Sequence, residues 1–184
     1  MNSFGIYENF PNTCHYVAVF EFKAPLNALK SAILNALYNL NRLENIPKRI
    51  LPKTTMGLKV IFEFGIADGS TFNYLDEETL RDSMKKTHLN IYRIMDFICI
   101  IRYYKPASKI IKRFRALRFD YYLLRFIFGR DVFEIRVFHE KGLQRIDAKT
   151  LIEILAEGVN SELLEKDENP IKIKALWFSG LQVV

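Results

Sequence analysis

Residues 121–139, YYLLRFIFGRDVFEIRVFH, decide the fold class of this chain. Two runs of β-branched and aromatic residues flank the pair Gly129-Arg130, which suits a tight connection between strands. From Phe133 to Val137 apolar residues alternate with charged ones, the pattern of a strand with one buried and one solvated face. The stretch therefore predicts a β-hairpin, and with it an antiparallel sheet.

Upstream of the hairpin, residues 15–104 predict a strand, a helix, two strands, a helix and a strand. The first helix has the clearest pattern, because from Leu26 onward apolar residues recur at the spacing of one buried helical stripe. Residues 91–104 fit a helix or a strand by periodicity. Their isoleucines and aromatic residues, with Pro106 just after, favour a long strand. The resulting β-α-β-β-α-β order is that of the ferredoxin-like unit.

Downstream of the hairpin, Asp147 is a suitable cap for a helix over residues 148–166, and IKIKALWF at residues 171–178 predicts a final strand. We therefore predict an α+β fold with a mainly antiparallel sheet and helices packed on one face. Its first half has the ferredoxin-like order, and a C-terminal hairpin-helix-strand extends it. No low-complexity linker divides the 184 residues, so we expect a single domain, with residues 1–13 as an irregular N-terminal arm.

The most unusual segment is residues 102–118, RYYKPASKIIKRFRALR. It carries seven cations, and no Asp or Glu lies between Asp96 and Asp120. Ser108 is a suitable cap for a short helix whose apolar stripe, including Phe114, would face the core. The cations outside that stripe are the candidate nucleic-acid-binding residues Lys109, Lys112, Arg113, Arg115 and Arg118.

This basic segment and the net charge of +6 suggest an anionic partner, and we take nucleic acid as the leading hypothesis. A rival explanation is that the acidic helix at 148–166 neutralises the segment. A second hypothesis is a structural or assembly protein that forms a homo-oligomer or contacts another subunit. A third is a small-molecule-binding domain with a cavity between sheet and helices.

Asp96 is the carboxylate of most interest, because it lies in the mostly apolar run RIMDFICII. A carboxylate in such surroundings needs a partner or a shifted pKa. Arg93 and Arg102 are the candidate partners nearby in the sequence. Of the two explanations, we favour a solvated face on a half-exposed strand.

The sequence has no motif for a nucleophile, a nucleotide or a metal. GxSxG, GxxxxGK[ST] and GxGxxG are absent, and Cys14, His15, His88 and His139 are not spaced as ligands on one element. We therefore predict no catalytic residue, no cofactor and no metal. Without a signal peptide or a long apolar run, we expect a cytoplasmic protein without a membrane partner.

Overall fold

The computed structural model describes residues 3–43, 51–69, 71–87, 92–106 and 114–178. Within these ranges the chain forms one sheet and three α-helices. The strands are β1 Ser3–Phe4, β2 Tyr16–Glu21, β3 Lys59–Asp68, β4 Thr71–Tyr74, β5 Ile94–Pro106, β6 Phe114–Ala116, β7 Asp120–Phe128, β8 Val132–Lys141 and β9 Lys172–Phe178. The helices are α1 Leu26–Arg42, α2 Glu77–Thr87 and α3 Ala148–Leu164.

Seven strands follow one another in the sheet in the order β4-β3-β5-β7-β8-β2-β9, and all these pairs are antiparallel. The short strands β1 and β6 also pair with β5, β1 in parallel. The predicted α+β class and antiparallel sheet are therefore confirmed. Along the chain β2 to β5 follow the strand-helix-strand-strand-helix-strand sequence, while in the sheet β7 and β8 lie between β2 and β5. The ferredoxin-like order and the single domain stay predictions.

One face of the sheet carries the main hydrophobic core. The buried stripe of α1, which includes Leu29, Ile33 and Leu37, packs with α3 against alternate strand residues such as Phe97 and Phe126. Full burial of each such side chain contributes about 1.5–3 kcal/mol. This core therefore fixes which face of every strand turns away from the helices, a face that we call the open face.

The N-terminal arm covers part of the open face. β1 pairs with the start of β5, and Tyr7 and Phe10 pack on a small apolar cluster of Ala67, Ile98 and Leu123. Thus the arm, which the sequence suggests to be irregular, includes a two-residue strand. The rest of the open face lies toward the carboxyl end of β5 and the start of β7.

Lys30 is a polar residue inside the main core. Its side chain on α1 is fully buried, and its Nζ has no hydrogen-bond partner within the described ranges. The nearest stabilising group is the Phe128 ring, whose centroid lies 5.4 Å from Nζ. Burial lowers the pKa of Lys30 from its ordinary value of 10.5.

Replacing Lys30 by Met should stabilise the protein by about 1–3 kcal/mol at pH 7, because a buried amine without a hydrogen bond costs that much. The unfolded chain binds more protons than the folded chain between the lowered pKa and 10.5. Wild-type stability therefore gains from rising pH in this window, and the advantage of K30M should shrink as pH approaches 10.5. Urea denaturation of both proteins from pH 7 to 10.5 measures the difference.

The matched control is Lys23→Met, since Lys23 is an exposed lysine in the same part of the chain. Its effect should stay within about 0.5 kcal/mol and should not change over this pH range. An advantage of K30M that is constant from pH 7 to 10.5 would contradict the burial argument.

Candidate nucleic-acid interface

The basic segment forms part of a β-hairpin, so the predicted helix is wrong for residues 114–116. β6 pairs antiparallel with the end of β5, Lys105 opposite Arg115, and the Leu117 amide donates to the Tyr103 carbonyl at 2.8 Å. The apolar spacing that suggested a helix is local, whereas pairing with β5 satisfies the backbone of these residues across the hairpin. Of the candidate residues, Lys109, Lys112 and Arg113 lie outside the described residues.

The hairpin extends past the neighbouring ladder. β3 begins at Lys59, opposite Tyr104, so the last two residues of β5 pair with β6 alone. We call residues 104–106 and 114–118 the basic arm. Its described cations Lys105 and Arg118 are exposed, and neither lies within 4 Å of a carboxylate of the described chain. Arg115 contributes its backbone to the ladder of this arm.

Next to the basic arm, two cations approach one aromatic ring. Phe119 is 36% exposed, and its centroid lies 5.9 Å from the Arg102 guanidinium carbon and 5.6 Å from Lys141 Nζ. The same Nζ lies 5.4 Å from the Tyr121 ring centroid. We call Arg102, Phe119, Tyr121 and Lys141 the cation–aromatic patch. It lies on the open face, because neighbouring Tyr122 points into the main core.

Arg102 is partly neutralised. Its Nε lies 2.9 Å from both carboxylate oxygens of Glu63, on the adjacent strand β3. Neither terminal nitrogen of Arg102 donates a hydrogen bond to a described residue, which leaves those donors for a ligand. Lys141 is exposed and has no carboxylate partner in the described ranges.

A buried carboxylate, Asp120, holds the patch in place from between Phe119 and Tyr121. It accepts from the Tyr103 hydroxyl at 2.6 Å and from the backbone amides of Gln144 and Arg145 at 2.7 and 2.9 Å. These bonds fasten the loop after β8 to the start of β7 and so keep Lys141 close to Phe119.

Gly142 allows the close approach of that loop. It has φ +126°, and a side chain there would overlap Asp120 Oδ1 and the Phe119 carbonyl oxygen. Any other residue would therefore push the loop away from the patch.

The groups around Asp120 indicate that it stabilises the fold. Burial, and then the hydrogen bond to Asp120, raise the pKa of Tyr103, so the phenol remains a donor at neutral pH. His139 Nε2 lies 3.4 Å from Asp120 Oδ1, and its Nδ1 lies 3.0 Å from Gln144 Nε2. The sequence pattern does not indicate this network; its one signal is that Asp120 ends the stretch without acids.

Asp96 is 1% exposed and has Arg125 as its partner, so the solvated face and the candidate partners Arg93 and Arg102 are all wrong. The antiparallel register places Asp96 opposite Arg125, and the guanidinium donates to both carboxylate oxygens at 2.8 and 2.7 Å. The Tyr7 amide donates to the same carboxylate at 2.9 Å, and the Phe10 ring lies 4.3 Å from the guanidinium carbon. Asp96 thus anchors the N-terminal arm.

Two histidines are neighbours, but the described residues contain no group of three His, Cys, Asp or Glu side chains placed to hold a metal. His15 Nδ1 accepts from the His139 backbone amide at 2.8 Å. Burial, and then the proximity of His139, lower the pKa of His15, which preserves this acceptor at neutral pH. His88 lies outside the described ranges, and Cys14 and Cys99 are free thiols.

A cavity of about 570 Å³ is lined by residues outside the basic arm and the cation–aromatic patch. The N-terminal arm, β3, β4 and α2 line it, with Glu78, Asp82 and Lys86 among its polar groups. Asp96 is not among the residues that line this cavity.

Two acidic side chains of α3, Glu153 and Glu162, contact residues of α3 and α1 and not the described basic arm. Glu153 lies 3.8 Å from Lys149 on the same helix, and Glu162 accepts from Asn39 Nδ2 of α1 at 2.7 Å. Burial raises the pKa of Glu162, as expected for a carboxylate packed between helices.

Replacing Asp120 by Asn should destabilise the protein by on the order of 3 kcal/mol, because an amide nitrogen would face backbone donors in a buried site. Asp131→Asn is the control, since Asp131 is exposed in the turn between β7 and β8, and its cost should be below about 0.5 kcal/mol. Urea denaturation at pH 7 compares the two. Equal stabilities for D120N and D131N would contradict the structural role of Asp120.

No helix in the described part of the chain is long and apolar enough to cross a membrane. Comparisons of the chain with protein-family models, with curated proteins and with solved structures gave no match.

Proposed function

We propose that this protein binds nucleic acid without catalysis, using the basic arm and the cation–aromatic patch as one surface. The observation that carries the proposal is the set of exposed cations at this end of the sheet, Lys105, Arg118 and Lys141, without carboxylate partners among the described residues. When such cations contact the phosphates of a nucleic acid, they release its condensed counterions, and this release is the main source of non-specific affinity.

The shape of the arm also supports the proposal. A two-stranded ribbon can enter a groove of nucleic acid, and beyond β3 the end of β5 pairs with β6 alone. The candidate residues Lys109, Lys112, Arg113, Arg115 and Arg118 belong to the same segment, so the proposal includes them. Arg102 would add a guanidinium whose terminal nitrogens suit phosphate oxygens.

The test is a double charge reversal, Lys105→Glu with Arg118→Glu. We expect at least tenfold weaker binding of labelled DNA or RNA at low salt. We also expect the slope of log K against log salt to fall by about 1.4–1.8, since each lost phosphate contact contributes 0.7–0.9. Fluorescence anisotropy over a salt series measures both quantities.

The matched control is Lys166→Glu with Lys172→Glu, which changes the net charge equally at exposed positions in the turn after α3 and on β9. Its affinity should stay within about twofold of wild type, because distant charges are screened beyond about 10 Å at 0.1 M salt. An equal loss of affinity in both double variants would show that binding depends on net charge alone and would contradict the proposed surface. Absence of binding by the wild type at low salt would refute the proposal.

A second candidate function is assembly through β9. Within the described chain β9 pairs only with β2, and it exposes Ile173 by 55% and Leu176 by 39%. An unpaired strand edge is a template for a second copy, although Lys172 and Lys174 on the same strand oppose such pairing.

If β9 mediates a dimer, light scattering at micromolar concentration will give twice the chain mass of 21.6 kDa. Ile173→Lys should then return the mass to 21.6 kDa. A wild-type mass of one chain that does not depend on concentration would remove this candidate.

A further inference from the structure

We propose that the cation–aromatic patch selects single-stranded nucleic acid, with one base stacked on Phe119 and the adjacent phosphates on Arg102 and Lys141. This inference rests on the proposed function and adds the class of nucleic acid. Its starting observation is that Phe119 is 36% exposed and that two cations each lie within 6 Å of its ring centroid.

Stacking requires a base face, and a duplex buries its base faces against one another. A ring at the surface of a protein therefore contributes to binding of unpaired bases and little to binding of a duplex. Phe119 precedes the first residue of β7 and is not part of either hydrophobic cluster. Its exposure is thus not explained by packing.

The cations beside the Phe119 ring are suited to the phosphates on either side of a stacked base. Arg102 keeps its terminal nitrogens unused within the described chain, and Lys141 approaches both Phe119 and Tyr121. Three carboxylates are near. Asp120 is buried behind the ring, and Glu63 pairs with Arg102. Glu140 precedes Lys141 and contributes to the raised pKa of Tyr121, whose main cause is burial. Tyr121 therefore stays neutral, and its ring extends the surface beside Phe119.

The N-terminal arm limits where a bound nucleic-acid strand can lie on the open face. Tyr7 and Phe10 occupy the face over Ile98 and Leu123, and the ion pair of Arg125 with Asp96 holds them there. A bound strand must therefore run from the patch toward the basic arm and not across the centre of the sheet.

The test compares a labelled single-stranded DNA of about twelve nucleotides with its duplex, by anisotropy at one salt concentration, for wild type, Phe119→Ala, Phe119→Leu and Phe119→Trp. Phe119→Ala should weaken single-strand binding about tenfold, as expected for loss of one base stack, and change duplex binding less than twofold. Phe119→Leu keeps an apolar side chain without a π face, so it should lose the same affinity. Phe119→Trp should restore it.

The control is Leu143→Ala, a side chain 52% exposed on the neighbouring loop, which should bind as wild type does. Thermal unfolding of each variant tests that the fold is kept, and Phe119→Leu remains the decisive variant where Phe119→Ala unfolds. Equal effects on single strand and duplex, or no effect on either, would overturn stacking and leave the proposed function standing. Absence of wild-type binding to both forms would remove the proposed function itself.

Discussion

The buried carboxylate of Asp120 is the constraint on which this end of the molecule depends. A carboxylate without solvent is stable only when donors surround it, and Tyr103, Gln144 and Arg145 supply them. These donors come from β5 and from the loop after β8, so satisfying one charge fixes two segments that are distant in sequence. The Tyr122 hydroxyl, which donates to the Ile146 carbonyl, ties the same loop to β7. Phe119 and Lys141 are therefore held in place by groups behind them.

The sequence predicted those elements whose pattern is local. The apolar stripe that begins at Leu26 predicted a helix, and α1 is Leu26–Arg42; the alternation from Phe133 predicted a strand, and β8 is Val132–Lys141. Residues 94–106 are a strand, as their isoleucines and aromatic residues indicated against a competing helical spacing. In each of these elements, local propensity and burial favour the same structure.

The predictions that failed concern contacts across the sheet. The stripe that includes Phe114 and Leu117 satisfies a helical period, but residues 114–116 pair with β5. The partner of Asp96 depends on the register of β5 and β7, which no local pattern contains. The Asp120 network needs three segments to converge, so only a structure could reveal it. The residue types at the site can be recognised in the sequence, but which of them contact one another depends on the strand register.

Paired and unpaired charges are distributed unevenly over the open face. Toward its centre and β8, Arg125 pairs with Asp96, and Arg136 pairs with Glu134 at 2.9 Å. Toward the basic arm, Glu63 pairs with Arg102 and Glu140 precedes Lys141, while the sequence has no acid between Asp96 and the buried Asp120. Lys105, Arg118 and Lys141 are exposed at the hairpin end without a carboxylate partner among the described residues, and Phe119 is exposed beside them. The proposal of nucleic-acid binding rests on this combination, because cations contact phosphates and an exposed aromatic ring can stack on an unpaired base.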